Sequence, residues 1–156
     1  MKKILSALVI LFVSVVTFAQ PSVGEKAGEI SLPDIKGTNV NLSSLQGKVV
    51  LIDFWASWCG PCRRSVPDLK KVYTKYQSKG FEIYGVSLDE DKFAWKMAIK
   101  EDKVTWIHVN DSKGEVAGKW NIMYIPNTYL LDKNGKVVAV NPSHEELDEL
   151  LQKLLG

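Results

Sequence analysis

Residues 49–64, which read VVLIDFWASWCGPCRR, decide the fold. Four aliphatic residues open the stretch, as in a strand buried inside a sheet. Gly60 and Pro61 then mark a sharp turn, and proline is favoured in the first turn of a helix. The residues that follow predict that helix. The chain's only two cysteines, Cys59 and Cys62, are therefore expected where a buried strand passes into a helix.

A helix start favours a thiolate, because its unpaired N–H groups and its partial positive charge both attract an anion. In such motifs the pKa of a thiol falls from about 8.5 to as low as about 3.5. The pair therefore predicts a redox-active dithiol. Cys59, nearer the helix start and expected at its exposed end, is the predicted nucleophile. Cys62, one turn further on, would resolve the mixed disulfide that Cys59 forms with a substrate.

Two other uses of the cysteines fit the sequence less well. A zinc site needs about four ligands. The only two histidines, His108 and His144, are not spaced as a ligand pair, so no metal is predicted. A purely structural disulfide between Cys59 and Cys62 would close too short a loop to constrain the unfolded chain much.

The N-terminus has the pattern of an export signal. Lys2 and Lys3 precede an almost unbroken apolar run over residues 4–16, and small residues lead up to Ala19. We therefore predict a signal peptide over residues 1–19, cleaved after Ala19, and one domain over residues 20–156. The predicted location is extracytoplasmic, either periplasmic or secreted. An uncleaved segment that tethers the protein to a membrane is the alternative.

The charge balance excludes one class of partner. Without residues 1–19 the chain has 18 Lys and Arg residues and 18 Asp and Glu residues, so its net charge is zero. This balance argues against a nucleic-acid partner. Unpaired thiols tend to be oxidised outside the cytosol. An exported dithiol therefore needs an electron source or sink, such as a membrane-bound or soluble thiol donor.

The remaining pattern predicts an α/β fold with a mostly parallel sheet and helices on both faces. Ser143 and Glu146 have the spacing of a capping box at the start of the last helix. Strands are predicted at residues 30–32, 40–42, 48–54, 81–88, 104–109, 127–132 and 136–140. Helices are predicted at residues 59–79, 89–101 and 116–120, and from Ser143 to the C-terminus.

Residues 54–62, FWASWCGPC, resemble thioredoxin, and the match is highly specific. Asp53, Pro67 and Pro126 stand where thioredoxins have a buried acid, a helix-kinking proline and a cis-proline facing the dithiol. The leading hairpin and the extra helix after residue 88 resemble the exported TlpA/ResA-like thiol–disulfide oxidoreductases. The resemblance extends over about residues 24–155.

The resemblance implies a thioredoxin-like fold, with a central mixed sheet flanked by helices, an N-terminal β-hairpin and an extra inserted helix. It implies an extracytoplasmic reductase of disulfides in exported proteins, with cytochrome c maturation as one role of the group. No cofactor is implied. The chain departs from many relatives at two places. Asn127 follows Pro126 where they have Thr, and the segment that precedes Pro126 is unusually apolar.

Specific residues take roles from this resemblance and from their neighbours. Asp53 is expected to accept the proton of Cys62, since burial among apolar residues raises the pKa of a carboxyl group. Glu90, or else Asp89, matches a second acid found near the site in some members, although either could be a solvated acid at a helix start. Trp55 is expected in the core. The predicted substrate-binding residues are Trp58, Gly60, Pro61, Ile125 and Pro126.

Three competing functions remain open at this point. The same scaffold could act as an oxidase or isomerase of secreted proteins, if Arg63 and Arg64 stabilised the thiolate strongly, and a measured redox potential separates these cases. A thiol peroxidase is less favoured, because peroxiredoxins have Thr three residues before the reactive cysteine, where this chain has Ala56. A non-enzymatic binding module would leave the dithiol unused.

Overall fold

The computed structural model describes residues 20–156. The predicted signal peptide, residues 1–19, lies outside the described residues. The strands are β1 Ser31–Pro33, β2 Asn39–Asn41, β3 Val49–Trp55, β4 Phe81–Ser87, β5 Ile107–Asn110, β6 Asn127–Leu131 and β7 Val137–Val140. The helices are α1 Gly60–Tyr76, α2 Lys92–Asp102, α3 Glu115–Lys119 and α4 His144–Leu155. Short 3-10 helices cover Leu42–Leu45 and Gln77–Lys79.

The main sheet has five strands in the order β5-β4-β3-β6-β7. Strands β3, β4 and β5 run parallel, whereas β6 and β7 join through antiparallel pairs. Strands β1 and β2 form the separate hairpin that the sequence predicts. The mixed sheet with flanking helices, the leading hairpin and the additional helix α2 confirm the predicted fold class.

The central strand β3 is buried along its whole length, which explains its unbroken apolar run. Alternate side chains point to opposite faces of a sheet, so β3 contributes to two hydrophobic clusters. Ile52 and Phe54 belong to the cluster on one face, and Val49 and Leu51 to that on the other. Helices α1 and α4 complete the second cluster. This packing holds α1 against the sheet, with its first residues just beyond the end of β3.

Most predicted elements agree with the structure to within a few residues, and the largest differences are the starts of α2 and β5. Helix α2, predicted from residue 89, begins at Lys92 because the side chain of Asp91 caps it. We predicted a strand from residue 104, but β5 begins at Ile107. The reason is that α2 continues to Asp102 and is capped by Lys103 in the left-handed conformation, with φ of 50°. Residues 104–106 are therefore used to lead the chain back to the sheet.

Helix ends follow local signals. The predicted capping box is confirmed, because Ser143 Oγ accepts a hydrogen bond from Glu146 N at 3.2 Å and Glu146 Oε2 accepts one from Ser143 N at 2.8 Å. The helical segment after the cysteines ends at Gly80, whose φ of 97° suits glycine. Within residues 20–156, no helix has the length and apolar character needed to cross a membrane.

Candidate active site

Cys59 and Cys62 are joined by a disulfide at the start of α1. Cys59 is the N-cap residue of this helix, and its Sγ accepts a hydrogen bond from the backbone N–H of Cys62 at 3.2 Å. This contact places the sulfur of Cys59 at the positive end of the helix dipole, where a thiolate is stabilised. The roles of Cys59 as nucleophile and Cys62 as resolving thiol stay a prediction.

The expected exposure of Cys59 is not found. Both cysteines are 4% exposed, so exposure does not distinguish them. The reason is packing, because the bonded sulfurs cover one another and Trp95 and Ile125 pack against the pair. The distinction between nucleophile and resolving thiol depends instead on the hydrogen bond at the N-cap.

Asp53 lies in β3, is 9% exposed and has no hydrogen-bond partner among the described residues. Burial raises the pKa of its carboxyl group from 3.8 to about 7. The residue borders two cavities. A cavity of about 10 Å³ is shared with Cys62, and a larger one of about 290 Å³ is lined by residues that include Tyr124 and Pro126. Asp53 is thus placed between the resolving cysteine and a second, wider cavity.

The structure brings Asp89, rather than Glu90, to the active-site turn, which we define as residues 56–58. Asp89 is 1% exposed and accepts hydrogen bonds from the backbone N–H and the hydroxyl of Ser57 and from the hydroxyl of Ser87. Glu90 is exposed and has no hydrogen bond or ion pair to the rest of the described chain. The preference for Glu90 as the second acid therefore finds no structural support.

A sequence signal for Asp89 existed. It lies just beyond the end of β4, and β4 runs parallel to β3 with Trp55 opposite Ser87. The carboxyl ends of neighbouring parallel strands meet at one edge of a sheet, where ligands and reactive groups are usually found. An acid at that position can therefore reach the turn that follows β3, as Asp89 does.

Arg63 is held between helices α1 and α2 and does not act as a free cation. Its guanidinium donates to Asp102 at 2.8 Å and to Glu101 at 3.2 Å, and these carboxylates raise its pKa. A further, longer hydrogen bond of 3.4 Å goes to the carbonyl of Ser57. The hypothesis that Arg63 holds the thiolate is thus replaced by a role in fixing the active-site turn, while Arg64 is exposed.

The face around the dithiol is apolar and accessible. Trp58 is 68% exposed, whereas Trp55 is buried as predicted. The peptide bond between Ile125 and Pro126 is cis. Gly60 and Pro61 are exposed at the start of α1.

We call Met123, Tyr124 and Ile125 the apolar lip. Met123 and Tyr124 are largely exposed, and Ile125 packs on the cysteines. No hydrogen bond joins the main chain of Ile125 to another group within the part of the chain that the structure describes. The lip therefore combines exposed apolar side chains with an unpaired backbone beside the dithiol.

One residue beside the site was missed at the sequence level. His108 was assigned no role, yet it is buried and lines the same small cavity as Asp53 and Cys62. Burial lowers its pKa to about 3, so the imidazole is neutral at working pH. Gly85, which lies beside it in a buried strand, was the available signal, because glycine there often marks a close approach of other groups. Over residues 20–156, no three His, Cys, Asp or Glu residues are grouped as a metal site would require.

The family follows from comparison with known sequences. The model of the AhpC/TSA family matches residues 23–140, which is most of the chain. The chain belongs to the AhpC/TSA family. Among curated proteins, it is 31% identical over 135 residues to the thiol-disulfide oxidoreductase ResA of Bacillus thuringiensis subsp. konkukian (strain 97-27), covering 85% of this chain and 78% of that protein.

Solved structures agree with this result. The thioredoxin domain of a thiol-disulfide oxidoreductase from Bacteroides vulgatus superposes with a TM-score of 0.81 at 38% identity, over 86% of this chain and 99% of that one. A thiol:disulfide interchange protein from Bacteroides sp. gives 0.79 at 38% identity, over 86% and 91%. Together with the Cys59–Cys62 pair, these relatives make the chain a thiol–disulfide oxidoreductase.

Proposed function

We propose that this protein reduces disulfide bonds of exported proteins outside the cytosol. The observation that carries the proposal is the hydrogen bond from Cys62 N to Cys59 Sγ at the N-terminus of α1, with the unpartnered carboxyl group of Asp53 beside Cys62. The first feature stabilises an attacking thiolate, and the second supplies a proton acceptor for the resolving thiol.

The proposed reaction has two steps. The Cys59 thiolate attacks one sulfur of a substrate disulfide, forms a mixed disulfide and releases the other substrate sulfur, which takes up a proton. Cys62 then gives its proton to Asp53 and attacks Cys59 Sγ. The Cys59–Cys62 disulfide forms, the bond from Cys59 to the substrate breaks, and the second substrate sulfur leaves and is protonated. Two electrons have passed from the dithiol to the substrate.

The surface beside the dithiol supports a polypeptide substrate. The unpaired backbone of Ile125 can hydrogen-bond to an extended segment, as edge backbone does in other peptide-binding proteins. Trp58 offers a large, exposed aromatic side chain. One end of its indole ring can pack against a substrate while the other end stays in contact with water. Pro126, Gly60 and Pro61 would complete the binding surface around the reacting sulfurs.

The location and the partners follow from the sequence pattern at residues 1–19. An exported protein works where free thiols are oxidised, so the dithiol must be re-reduced after each turnover. We infer a membrane-bound or soluble thiol donor for that step. Reduction of an apocytochrome before haem attachment, the role known in the resembling group, is the narrower form of this proposal.

Trapping in cells tests the substrate class. The variant Cys62→Ser should form a mixed disulfide with its substrates and keep it, because no resolving thiol is present. The matched variant Cys59→Ser should trap nothing. Mass spectrometry of the adducts identifies the partners. Adducts formed by Cys59→Ser instead would reverse the assignment of the nucleophile, and adducts only with cytosolic proteins would contradict the exported location.

The redox potential decides whether the protein reduces or oxidises the disulfides of its substrates. We expect a value clearly more reducing than that of protein disulfide isomerase, which is about −180 mV. Equilibration with glutathione or dithiothreitol buffers gives this number. A value near −120 mV, as in DsbA, would favour an oxidase of secreted proteins instead. N-terminal sequencing of protein from the native host tests the predicted export and cleavage, with Gln20 as the expected first residue.

A further inference from the structure

Asp53, Gly85 and His108 lie side by side across three parallel strands. Asp53 pairs with Gly85 in the register of β3 and β4, and Gly85 pairs with His108 in that of β4 and β5. Register partners in neighbouring strands point to the same face of a sheet. The residue between Asp53 and His108 has no side chain, so the two titratable groups share one face of the sheet, and the indole of Trp55 approaches the space above Gly85.

Gly85 makes room for the imidazole of His108. A Cβ atom at position 85 would lie 3.0 Å from Nδ1 of His108 and 3.3 Å from Nε1 of Trp55. The first distance is tighter than about nine in ten real Cβ contacts, so a larger residue would require the imidazole to shift by a few tenths of an ångström. Two indole rings hold it further, with ring centroids 5.5 Å away for Trp55 and 5.7 Å for Trp106.

The small cavity beside Cys62 has the size of one water molecule. Its volume is about 10 Å³, and its lining includes Asp53, Cys62 and His108. Four buried nitrogens of its lining residues have no hydrogen-bond partner in the described chain, namely both ring nitrogens of His108 and the indole Nε1 of Trp55 and Trp106. Buried polar atoms are normally paired, and a water in a cavity of this size can pair some of these nitrogens.

We propose that His108 is a positioning residue for the proton transfer between Cys62 and Asp53. Its neutral imidazole has one donor and one acceptor nitrogen, so it can orient a water that bridges the Cys62 thiol and the Asp53 carboxyl group. This inference rests on the proposed acid–base role of Asp53. His108 itself neither gains nor loses a proton in the step.

The charges around the cavity agree with an orienting role. Cys62 faces the cavity from α1 and Asp102 from α2, where Arg63 neutralises Asp102. On its other side, Asp53 faces the wider cavity with Tyr124 and His144. Because burial keeps His108 neutral, it adds no cation that would lower the pKa of Asp53. It contributes hydrogen bonds and not charge.

The electron and proton balance of the step is complete without a further reactant. Within the mixed disulfide, the Cys62 thiol passes its proton through the water to the Asp53 carboxylate. The Cys62 sulfur then bonds to Cys59 Sγ, and the substrate sulfur leaves with the electron pair of the broken bond. Asp53 afterwards returns its proton to solvent through the wider cavity that it borders.

The test is stopped-flow resolution of a mixed disulfide between Cys59 and a thiol peptide, measured over pH 5 to 9. His108→Leu fills the site without hydrogen bonds and should slow resolution by about tenfold, a part of the 10²–10⁴ that acid–base catalysis supplies. In this variant, the rate at which Cys59 attacks a substrate disulfide should not change. His108→Gln retains a donor and an acceptor and should restore most of the rate. Gly85→Ala, whose added methyl group crowds the imidazole and the neighbouring Trp55 indole, should also slow resolution.

Two further variants separate the possible outcomes. Val109→Ala loosens β5 from its other face and should lower the unfolding midpoint without moving the pH profile. In an Asp53→Asn background, His108→Leu should add nothing, because both act in one step. If Asp53→Asn slows resolution but neither His108→Leu nor Gly85→Ala does, the role of His108 is wrong and that of Asp53 stands. If Asp53→Asn has no effect either, the acid–base role itself fails.

Discussion

Two buried carboxyl groups lie near the dithiol, and the structure treats them differently. Asp89, at the end of β4, accepts hydrogen bonds from Ser57 and Ser87. Asp53, in the adjacent strand β3, has no hydrogen-bond partner among the described residues and a pKa of about 7. Both side chains are buried, with 9% of Asp53 and 1% of Asp89 exposed, so the difference is set by local donors and not by depth alone.

The difference assigns the two groups to different tasks. A buried carboxylate is costly unless hydrogen bonds replace its lost hydration. Asp89 obtains them, and in return it fixes the turn that presents Cys59. Asp53 does not, so its proton is easily exchanged near neutral pH, which suits an acid–base group. Removing each group should therefore have effects of opposite sign on stability.

Asp53→Asn should give one of the two largest effects on stability. The pKa of Asp53 is raised from 3.8 to about 7 on folding, so the folded state binds the proton more tightly. Relative to the variant, the wild type should lose stability as pH rises from about 4 to 7 and change no further above that. The total difference is on the order of 4 kcal/mol.

Urea unfolding of the oxidised protein measures this difference, because the disulfide-bonded cysteines then do not titrate. The quantity to compare is the free energy of unfolding of the variant minus that of the wild type at each pH. A difference that stays constant between pH 4 and 8 would show that Asp53 keeps its ordinary pKa, and the contrast with Asp89 would be lost.

His108→Gln should have a similar magnitude with the opposite dependence on pH. Burial lowers the pKa of His108 from 6.5 to about 3, so the unfolded state binds the proton more tightly. Relative to the variant, the wild type should lose stability as pH falls from about 6.5 to 3, by on the order of 5 kcal/mol. The same urea series tests it, and a difference independent of pH would mean that His108 can be charged in the fold.

The sequence was sufficient for the fold and the dithiol because both depend on local signals. The apolar run of β3, the Gly60–Pro61 turn and the capping box at Ser143 each specify their structure through neighbouring residues. The roles of Asp89 and His108 depend on register across β3, β4 and β5 instead. A one-residue change of register would send each side chain to the other face, so no single segment predicts those contacts.

Asp89→Ala should cost about 2–3 kcal/mol, because it leaves the buried donors of Ser57 and Ser87 without an acceptor. It should also alter the reactivity of Cys59, whose position depends on the turn. Urea unfolding and alkylation rates measure both effects. Glu90→Gln is the matched control at the neighbouring exposed position, and it should leave both quantities unchanged. Equal losses in the two variants would contradict the role assigned to Asp89.

The smallest effect on stability is expected at the apolar lip, where the side chains of Met123 and Tyr124 are largely exposed. Tyr124 is exposed, and its only hydrogen bond in the described chain is a 3.3 Å contact from Asn141 Nδ2. Tyr124→Ser should therefore leave the free energy of unfolding within about 0.5 kcal/mol of the wild type. Its reduction of a protein disulfide should weaken, with KM raised about fivefold, as for loss of an aromatic contact worth about 1 kcal/mol. Reduction of a small aromatic disulfide, which does not reach the lip, should be unchanged and serves as the control. If both substrates slow equally, the lip acts on the dithiol itself, and the separation between buried chemistry and exposed recognition does not hold.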